Sequence, residues 1–177
     1  FLNKFNYKQE YILSVISCVR YHNIKNLIIA YKNLKLKNEI NHKFVIVMQV
    51  LDKKYFSSIL ELINKYDLNT EVIIFKNLDH NFLQNLYKFS KLYLFSSYCE
   101  VFGLTTLEAM ANKCNVLISN QSSLPEINSD AADYFDPDDI KNIEQKIKLN
   151  LFNKKLRSKL INNSIKRIKF FKWEKTV

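Results

Sequence analysis

Glycine and proline are almost missing from this sequence, which contains one glycine, Gly103, and two prolines among 177 residues. Average usage of ~7% predicts about a dozen glycines in a chain of this length. The single glycine follows an apolar, strand-like run and precedes a helical pattern. Because glycine has no Cβ and tolerates positive φ, it lets a ligand approach the backbone closely. We therefore predict a strand at 91–96, an irregular loop at 97–102 and a helix at about 103–112.

The start of that helix is a predicted anion-binding site. The backbone N–H groups of its first turn, from Gly103 to Thr106, have no acceptors within the helix. Together with the positive end of the helix dipole, they favour a phosphate group. Glu100 in the loop and Glu108 in the helix place a carboxylate on each side of this turn. We therefore expect the chemistry of the protein to be located here.

Long apolar runs and paired cysteines are also missing. No run of about 18 uncharged apolar residues occurs, so the sequence predicts no membrane-spanning helix. The first residues lack the layout of a signal peptide. Since the chain does not begin with Met, we expect a segment from the middle of a longer cytoplasmic protein. The three cysteines, an odd number without metal-ligand spacing, predict reduced thiols.

The formal net charge of +10 comes from lysine, since only three of the 27 basic residues are arginines. We expect this lysine excess to be a compositional bias that is spread along the chain. Nucleic-acid sites concentrate arginine and exposed aromatic side chains on one face, so the composition favours a solvated lysine surface over nucleic-acid binding. Contact with an anionic membrane surface stays open, because that attraction requires only basic charge.

The hydrophobic pattern, with 47% apolar residues in 177, predicts one domain with a sizeable core. Short apolar runs rich in β-branched residues predict buried strands at 11–19, 42–51, 71–75, 91–96, 115–119 and 132–135. Apolar residues at helical spacing predict helices at 24–34, 56–66, 82–87, 103–112, 140–151 and 156–171. The segment 120–137 is predicted to be irregular, with Pro125 and Pro137 as breakers.

The alternation of buried strands and amphipathic helices predicts an α/β fold, a Rossmann-like doubly wound parallel sheet of about six strands with helices on both faces. Right-handed crossovers favour the strand order 3-2-1-4-5-6. In such a sheet the direction in which successive strands are added reverses between the first and fourth strands. The ligand crevice lies outside the carboxyl ends of these two strands. The predicted walls of the crevice are 17–23 and 97–104, and the second wall contains Gly103.

The residues around Gly103 resemble the signature of a known enzyme family. The segment Glu100-Val-Phe-Gly-Leu-Thr-Thr-Leu-Glu108-Ala-Met is similar to the E-x-F-G-x-x-x-x-E-A-M signature of the retaining glycosyltransferases of family 4, the glycosyl transferases group 1. The similarity covers nearly the whole chain. It extends to 11–15, 23–31, 119–126, 130–137 and the closing F-x-W-like residues Phe171 to Trp173.

The resemblance implies a particular domain and reaction. In this family two Rossmann-like domains face each other across a cleft, an arrangement called GT-B. Residues 1–177 are expected to form a single domain, the C-terminal nucleotide-sugar-binding domain, while the N-terminal acceptor domain is absent from this chain. The implied enzyme is a retaining hexosyltransferase that uses a nucleotide-diphospho-sugar and acts on a glycan or lipid-linked acceptor in polysaccharide or glycolipid assembly.

The resemblance also carries expectations about cofactors and location. No cofactor and no metal are expected, since the nucleotide-sugar is a substrate. We expect a cytoplasmic location, and peripheral contact with the inner face of the membrane stays open.

The resemblance assigns roles to individual residues. Glu108, matching the second Glu of the signature, is expected to accept hydrogen bonds from the ribose hydroxyls; the alternative is a solvent-facing helix glutamate. Glu100, matching the first, is expected to act in catalysis by contacting the transferred sugar and stabilising its positive charge; the alternative is an ordinary loop carboxylate. Backbone N–H groups are expected to hold the sugar and diphosphate and to stabilise charge on the leaving phosphate. They belong to Phe102, Gly103, Leu104 and Thr105.

The sequence departs from the family pattern at the cations that hold the diphosphate. Family members place an Arg after the first strand and a Lys near the start of the next helix. Here Ser17 or Cys18 falls at the first position and His22 at the second. A histidine is only partly charged at neutral pH. Arg20 and Lys25 lie close enough in sequence to substitute as donor-binding residues, and this alternative stays open.

Two other functions fit the sequence. One is a non-catalytic module of the same fold that binds a nucleotide or a partner, which the missing Arg and Lys favour. The other is a nucleic-acid or anionic-surface binder driven by the charge of +10. Outside the site, Leu107 and Met110 are predicted core residues, and His42 and His80 are predicted surface residues without a catalytic role.

Overall fold

The computed structural model describes residue 6 and residues 8–171, so Trp173 of the F-x-W-like segment lies outside the described residues. Six strands form one parallel sheet in the order β3-β2-β1-β4-β5-β6, which confirms the predicted topology. The strands are β1 (Tyr11–Cys18), β2 (Lys43–Val50), β3 (Val72–Phe75), β4 (Leu92–Phe95), β5 (Val116–Ser119) and β6 (Asp133–Phe135).

Helices cover both faces of this sheet, as the doubly wound α/β fold requires. They are α1 (Ile24–Leu36), α2 (Lys53–Lys65), α3 (His80–Phe89), α4 (Leu104–Ala111), α5 (Leu124–Asn128), α6 (Ile140–Phe152) and α7 (Lys154–Arg167). Helix α1 contacts α2 and α6, whereas α4 contacts α3 and α7. Short 3-10 turns occur at Arg20–His22, Ser129–Ala131 and Ile168–Phe170. No helix among the described residues is long and apolar enough to cross a membrane.

The central strands are buried, and their pairing leaves room for a crevice. Every residue of β4 and of β5 is buried, as expected for parallel strands covered on both faces. Strand β1 pairs with β2 along its whole length, from Tyr11 opposite Lys43 to Cys18 opposite Val50. Its pairing with β4 is short, covering only two positions near the amino ends. The carboxyl ends of β1 and β4 are therefore not paired with each other, which leaves space for a crevice between them.

Helix starts differ between the scaffold and the crevice. Four helices begin with an Asp or Asn whose side chain accepts a hydrogen bond from a backbone N–H of the first turn: Asp52 in α2, Asp79 in α3, Asp139 in α6 and Asn153 in α7. Each such cap contributes about 1 kcal/mol to stability. Helix α4 begins instead after Gly103 and has no side-chain cap. Its first N–H groups are therefore left for another partner.

The segment 120–137 is more regular than its sequence indicates. It contains α5 (Leu124–Asn128), and Pro125, predicted to be a breaker, lies in the first turn of that helix. Proline is tolerated there because the first turn has no intrahelical acceptor for the missing N–H. The prediction of an irregular segment is wrong at this point, although the sixth strand occurs close to its predicted position.

Candidate functional site

A cleft of ≈ 810 Å³ lies at the carboxyl ends of β1, β2 and β4. This volume is within the range of small-molecule sites. One wall contains Ser17, Tyr21 and His22, and the opposite wall is the loop from Cys99 to Thr105. The cleft is therefore located where the strand order reverses, with walls close to those predicted from the sequence.

Gly103 is required by its backbone conformation and by its surroundings. Its φ of 75° and ψ of 48° are left-handed, a region that L residues with a Cβ adopt only with strain. A Cβ at this position would lie 2.9 Å from Cδ2 of Leu124, closer than such contacts allow. The chain therefore turns into α4 with the backbone of this residue in the wall of the cleft.

The residues that lead into α4, together with its first two residues, carry unpaired backbone donors at the cleft. The N–H groups of Phe102, Gly103, Leu104 and Thr105 donate to no acceptor in the described part of the chain, and all four residues line the cleft. The expectation for Thr106 is wrong, because its N–H donates to the carbonyl oxygen of Gly103 at 2.9 Å. The four residues thus offer four unpaired donors at the wall of the cleft, which suits a phosphate.

Glu100 is held by a histidine on the opposite wall. Its Oε1 lies 2.9 Å from Nε2 of His22, and the side chains are 19% and 8% exposed. Nδ1 of His22 lies 2.8 Å from the carbonyl oxygen of Ser17. Because a carbonyl oxygen only accepts, Nδ1 carries a hydrogen and the ring orientation is defined. The residue at the family's lysine position therefore lies in the cleft and positions the predicted catalytic carboxylate.

Two serines that the sequence analysis missed hold the backbone of Glu100. The hydroxyl groups of Ser122 and Ser123 donate to its carbonyl oxygen at 2.8 Å and 2.7 Å. The N–H of Glu100 donates to Oγ of Ser122 at 3.2 Å. Ser122 has a φ of 56°, which is uncommon for a residue with a Cβ. These serines are more than twenty residues away in sequence, so no local signal indicates this contact.

Glu108 lies one helical turn beyond Leu104, on the same side of α4. It is exposed and is not among the residues that line the cleft. The buried hydroxyl of Tyr87 donates to its Oε2 at 2.9 Å. Burial raises the pKa of Tyr87, so this group remains a donor at neutral pH. The carboxylate is thus held in place next to the cleft rather than inside it.

Thr105 contributes a hydroxyl group that the sequence analysis did not consider. The hydroxyl of the fully buried Tyr93 donates to its Oγ1 at 2.9 Å. Burial raises the pKa of Tyr93, which keeps this tyrosine protonated. The Tyr93 hydroxyl also lies 3.3 Å from the carbonyl oxygen of Val15, and the Thr105 hydroxyl lies beside the unpaired N–H groups in the wall of the cleft.

The proposed substitute cations are located outside the cleft. Arg20 has a side chain that is 78% exposed, lies 4.0 Å from the carboxylate of Asp52 and contacts the ring of Tyr55. Lys25 is exposed and lines a separate groove between α1 and α2. Neither lines the cleft, so this geometry gives no support to their predicted role in holding phosphate.

The remaining predictions near the site have mixed outcomes. Met110 is fully buried and Leu107 packs against the core, as predicted. His80 is exposed, as predicted. His42 is buried instead, with its ring 8% exposed, so its prediction as a surface residue is wrong. The described residues contain no group of three or more His, Cys, Asp or Glu side chains arranged to hold a metal.

The family model of the glycosyl transferases group 1 matches residues 2–167. Together with the α/β fold and the cleft at the strand switch point, this shows that the chain belongs to the glycosyl transferases group 1 family. The class expected from the residues around Gly103 is thereby confirmed.

One curated relative is similar to nearly the whole chain. The chain is 30% identical over 175 residues to the serotype-specific mannosyltransferase WbdA of Escherichia coli, a match that covers 98% of this chain and 21% of that protein. It therefore spans about a fifth of the length of that curated relative.

Two solved structures show the same fold. The C-terminal domain of LpcC, a glycosyl transferase group 1 family protein from Francisella tularensis, matches with a TM-score of 0.78 and 22% identity, over 92% of this chain and 87% of that chain. TarM of S. aureus, solved with fondaparinux, α-GlcNAc-glycerol and UDP, matches with a TM-score of 0.77 and 21% identity, over 90% of this chain and 32% of that chain.

Proposed function

We propose that this chain is the nucleotide-sugar-binding domain of a retaining hexosyltransferase with the GT-B arrangement. The observation that carries this proposal is the set of four unpaired N–H groups at the start of α4, which open into the cleft beside Glu100. A diphosphate suits these donors because both the N–H groups and the helix dipole favour negative charge.

The same groups supply the stabilisation that the reaction needs. During glycosyl transfer negative charge grows on the leaving phosphate, and donors that are already in position stabilise it without reorganising. The Thr105 hydroxyl adds one further donor, held by Tyr93. We expect no metal or other cofactor, since the nucleotide-sugar is itself a substrate and the resemblance implies a metal-independent reaction.

In this proposal Glu100 and Glu108 bind the two sugars of the donor, the transferred hexose and the ribose. Glu100 contacts the transferred hexose and stabilises the positive charge that develops on it, while His22, Ser122 and Ser123 hold the carboxylate and its backbone in place. Glu108, one turn further along α4, accepts hydrogen bonds from the ribose hydroxyls. Tyr87 keeps the second carboxylate in position.

The acceptor is proposed to bind through an N-terminal domain that this chain does not include. A glycan or lipid-linked acceptor in polysaccharide assembly is consistent with the serotype-specific mannosyltransferase WbdA and with TarM, whose structure holds UDP and α-GlcNAc-glycerol. A cytoplasmic enzyme with peripheral contact at the inner face of the membrane fits such an acceptor.

A non-catalytic nucleotide-binding module of the same fold is the second candidate. One observation favours it: among the described residues that line the cleft there is no Lys or Arg. A diphosphate would then be held by N–H groups and by polar side chains such as His22, with no lysine or arginine from the described lining. Sugar transfer by a protein that contains both domains separates an enzyme from such a module.

Donor binding tests the proposal directly. We expect one UDP- or GDP-hexose to raise the melting temperature of this chain, since a ligand that binds the folded state stabilises it. In calorimetry, Glu100→Gln is expected to weaken binding of that nucleotide-hexose by about tenfold or more, the effect of losing a charged hydrogen bond. Binding of the nucleoside diphosphate alone should be unchanged.

Glu61→Gln provides the matched control, because Glu61 is an exposed glutamate of α2 outside the cleft. It should leave binding of both ligands unchanged. Failure of every UDP- and GDP-hexose to stabilise the chain would contradict donor binding. Equal losses for the nucleotide-hexose and the nucleoside diphosphate in Glu100→Gln would contradict the role of Glu100.

A further inference from the structure

The positive charge of this protein is concentrated in one part of the chain. Residues 145–173 contain eight lysines and two arginines and no Asp or Glu, whereas the rest of the chain contains 17 residues of each sign. The whole net charge of +10 is therefore located in 145–173. This corrects the expectation that the lysine excess is spread along the chain.

Helix α7 (Lys154–Arg167) carries much of this charge on one face. Lys155, Lys159 and Lys166 are four and seven residues apart, a spacing that places them along one side of a helix. Lys169 follows in the 3-10 turn after the helix, and all four lysines are exposed. These four residues are called the lysine face below.

The opposite side of α7 is held by the protein. Leu160 is 5% exposed and Ser164 is fully buried, where its hydroxyl donates to the carbonyl oxygen of Ala131 at 3.0 Å. The helix also contacts α4 and α6. The lysine face is thus displayed on a fixed helix and points away from the core.

No residue of the lysine face forms an ion pair with another described residue. Lysines elsewhere do so: Lys35 and Lys43 each bind the carboxylate of Glu71, at 2.8 Å and 2.7 Å. Unpaired cations on a rigid face attract an anionic surface more strongly than cations that already have a partner, since no ion pair has to break first.

Exposed aromatic side chains lie close in sequence to both ends of α7. Phe170, next to Lys169, is 67% exposed, and Phe152, just before α7, is 58% exposed. Large apolar side chains beside a row of lysines are the pattern of a surface that lies in the headgroup region of a membrane. Basic charge provides the attraction, and the phenyl rings provide the apolar contact.

We propose that the lysine face, with Phe152 and Phe170, docks this protein on an anionic phospholipid surface. The predominance of lysine favours this choice over nucleic acid, because arginine is the preferred residue for nucleic-acid recognition whereas lysine suffices for attraction to anionic lipids. Of the arginines in 145–173, Arg167 is already engaged, donating to the carbonyl oxygens of Glu126 and Ile127.

The residue that follows this surface in the chain contacts the wall of the cleft. The ring of Phe171, two residues after Lys169, packs edge-on against Phe102 in the wall of the cleft, with centroids 5.6 Å apart. Docking through α7 would therefore place the cleft close to the lipid surface. The benefit of this arrangement, access to a lipid-linked acceptor, rests on the proposed function, whereas the lipid binding itself does not.

Vesicle binding of the chain tests this inference. The probes are vesicles of phosphatidylcholine with about 30% phosphatidylglycerol and vesicles of phosphatidylcholine alone, in about 0.1 M salt. We expect sedimentation with the anionic vesicles only. The variant K155Q/K159Q/K166Q/K169Q should bind them about 600-fold more weakly, since each of the four lysines near an anionic surface contributes about fivefold.

A control variant of equal charge separates the lysine face from net charge. K53Q/K54Q/K65Q/K88Q changes four exposed lysines of α2 and α3, and it should retain binding within a few-fold. Equal losses in the two variants, or equal binding to both kinds of vesicle, would overturn the proposal. So would binding to duplex DNA that is tighter than binding to the anionic vesicles at the same salt and is lost in the first variant.

Thermal shift with UDP- and GDP-hexoses on the same proteins separates this proposal from the proposed function. The lysine-face variant should keep the donor-induced shift of the unaltered chain. Loss of vesicle binding with an intact donor shift supports the lysine face. Vesicle binding without any donor shift supports the lysine face while contradicting donor binding.

Discussion

The two ends of the parallel sheet satisfy their polar groups in different ways. At the amino ends of the strands, Glu71 binds Lys35 and Lys43, and Glu10 lies 3.1 Å from Lys91 and 3.5 Å from the buried His42. At the carboxyl ends, four backbone N–H groups at the start of α4, from Phe102 to Thr105, have no partner among the described residues. Charged side chains pair with one another at the amino ends, whereas backbone donors at the carboxyl ends remain unpaired.

The groups at the amino ends contribute to the stability of the fold, whereas those at the carboxyl ends are available to bind a ligand. Paired charges at the amino ends stabilise the fold, and burial lowers the pKa of His42, which keeps its ring neutral there. Unpaired donors at the carboxyl ends add nothing to stability until a ligand supplies the acceptors. Changes at the two ends should therefore alter different measurements.

The largest expected effect comes from Gly103→Ala at the carboxyl end. The added Cβ meets Cδ2 of Leu124 at 2.9 Å, and the left-handed backbone is strained for a residue with a Cβ, so we expect the N–H groups of the turn to shift. A shift of about 1 Å in a positioned group can cost about 100-fold. We expect calorimetry to show loss of both the nucleotide-hexose and the nucleoside diphosphate, with a decrease of about 1–2 kcal/mol in stability.

Lys113→Gly is the control for Gly103→Ala, because Lys113 follows α4 and also has a positive φ, 60°. Glycine relieves strain there, so stability should rise slightly and donor binding should not change. Unchanged donor affinity in Gly103→Ala would show that the turn does not hold the diphosphate.

Glu71→Gln at the amino end should lower stability without changing donor binding. Burial raises the pKa of Glu71, but the hydrogen bonds from Lys35 and Lys43 outweigh burial and hold this pKa below its ordinary 4.5. Its contribution is therefore present above about pH 4.5 and is lost as the pH falls below that value. Urea unfolding should show a loss of about 2 kcal/mol at pH 7 and a smaller loss near pH 3.

Glu61→Gln controls for the loss of a carboxylate, since the exposed Glu61 has no ion pair among the described residues. It should change stability at pH 7 by less than about 0.5 kcal/mol. A loss in Glu71→Gln that is the same at both pH values would contradict the ion-pair explanation.

The smallest effect is expected for Arg20→Ala and Lys25→Ala. Both side chains lie outside the cleft, so each variant should change nucleoside diphosphate affinity by less than about twofold in calorimetry, the scale of screened surface charges. A tenfold loss in either variant would mean that its side chain reaches the diphosphate when the ligand is bound. That is the substitution of Arg20 or Lys25 for the family's cations that the sequence left open.

Local patterns predicted most of the fold and the location of the cleft. Apolar β-branched runs indicated the strands, and the rarity of glycine indicated the turn at Gly103. Proline was misread in α5, because Pro125 is compatible with the first helical turn. His42 was misread because burial depends on neighbours such as Phe152, whose ring lies 6.3 Å away and is distant in sequence.

The sequence by itself determined the topology, the family and the turn that presents unpaired N–H groups, because these depend on apolar spacing and on one glycine. The tertiary structure decided the partners: His22, Ser122 and Ser123 meet at Glu100, and Arg20 and Lys25 stay outside the cleft. The physical reason is that hydrogen bonds between residues far apart in sequence arise only after the strands are ordered in the sheet. The spacing of apolar residues along the chain therefore does not predict these hydrogen bonds.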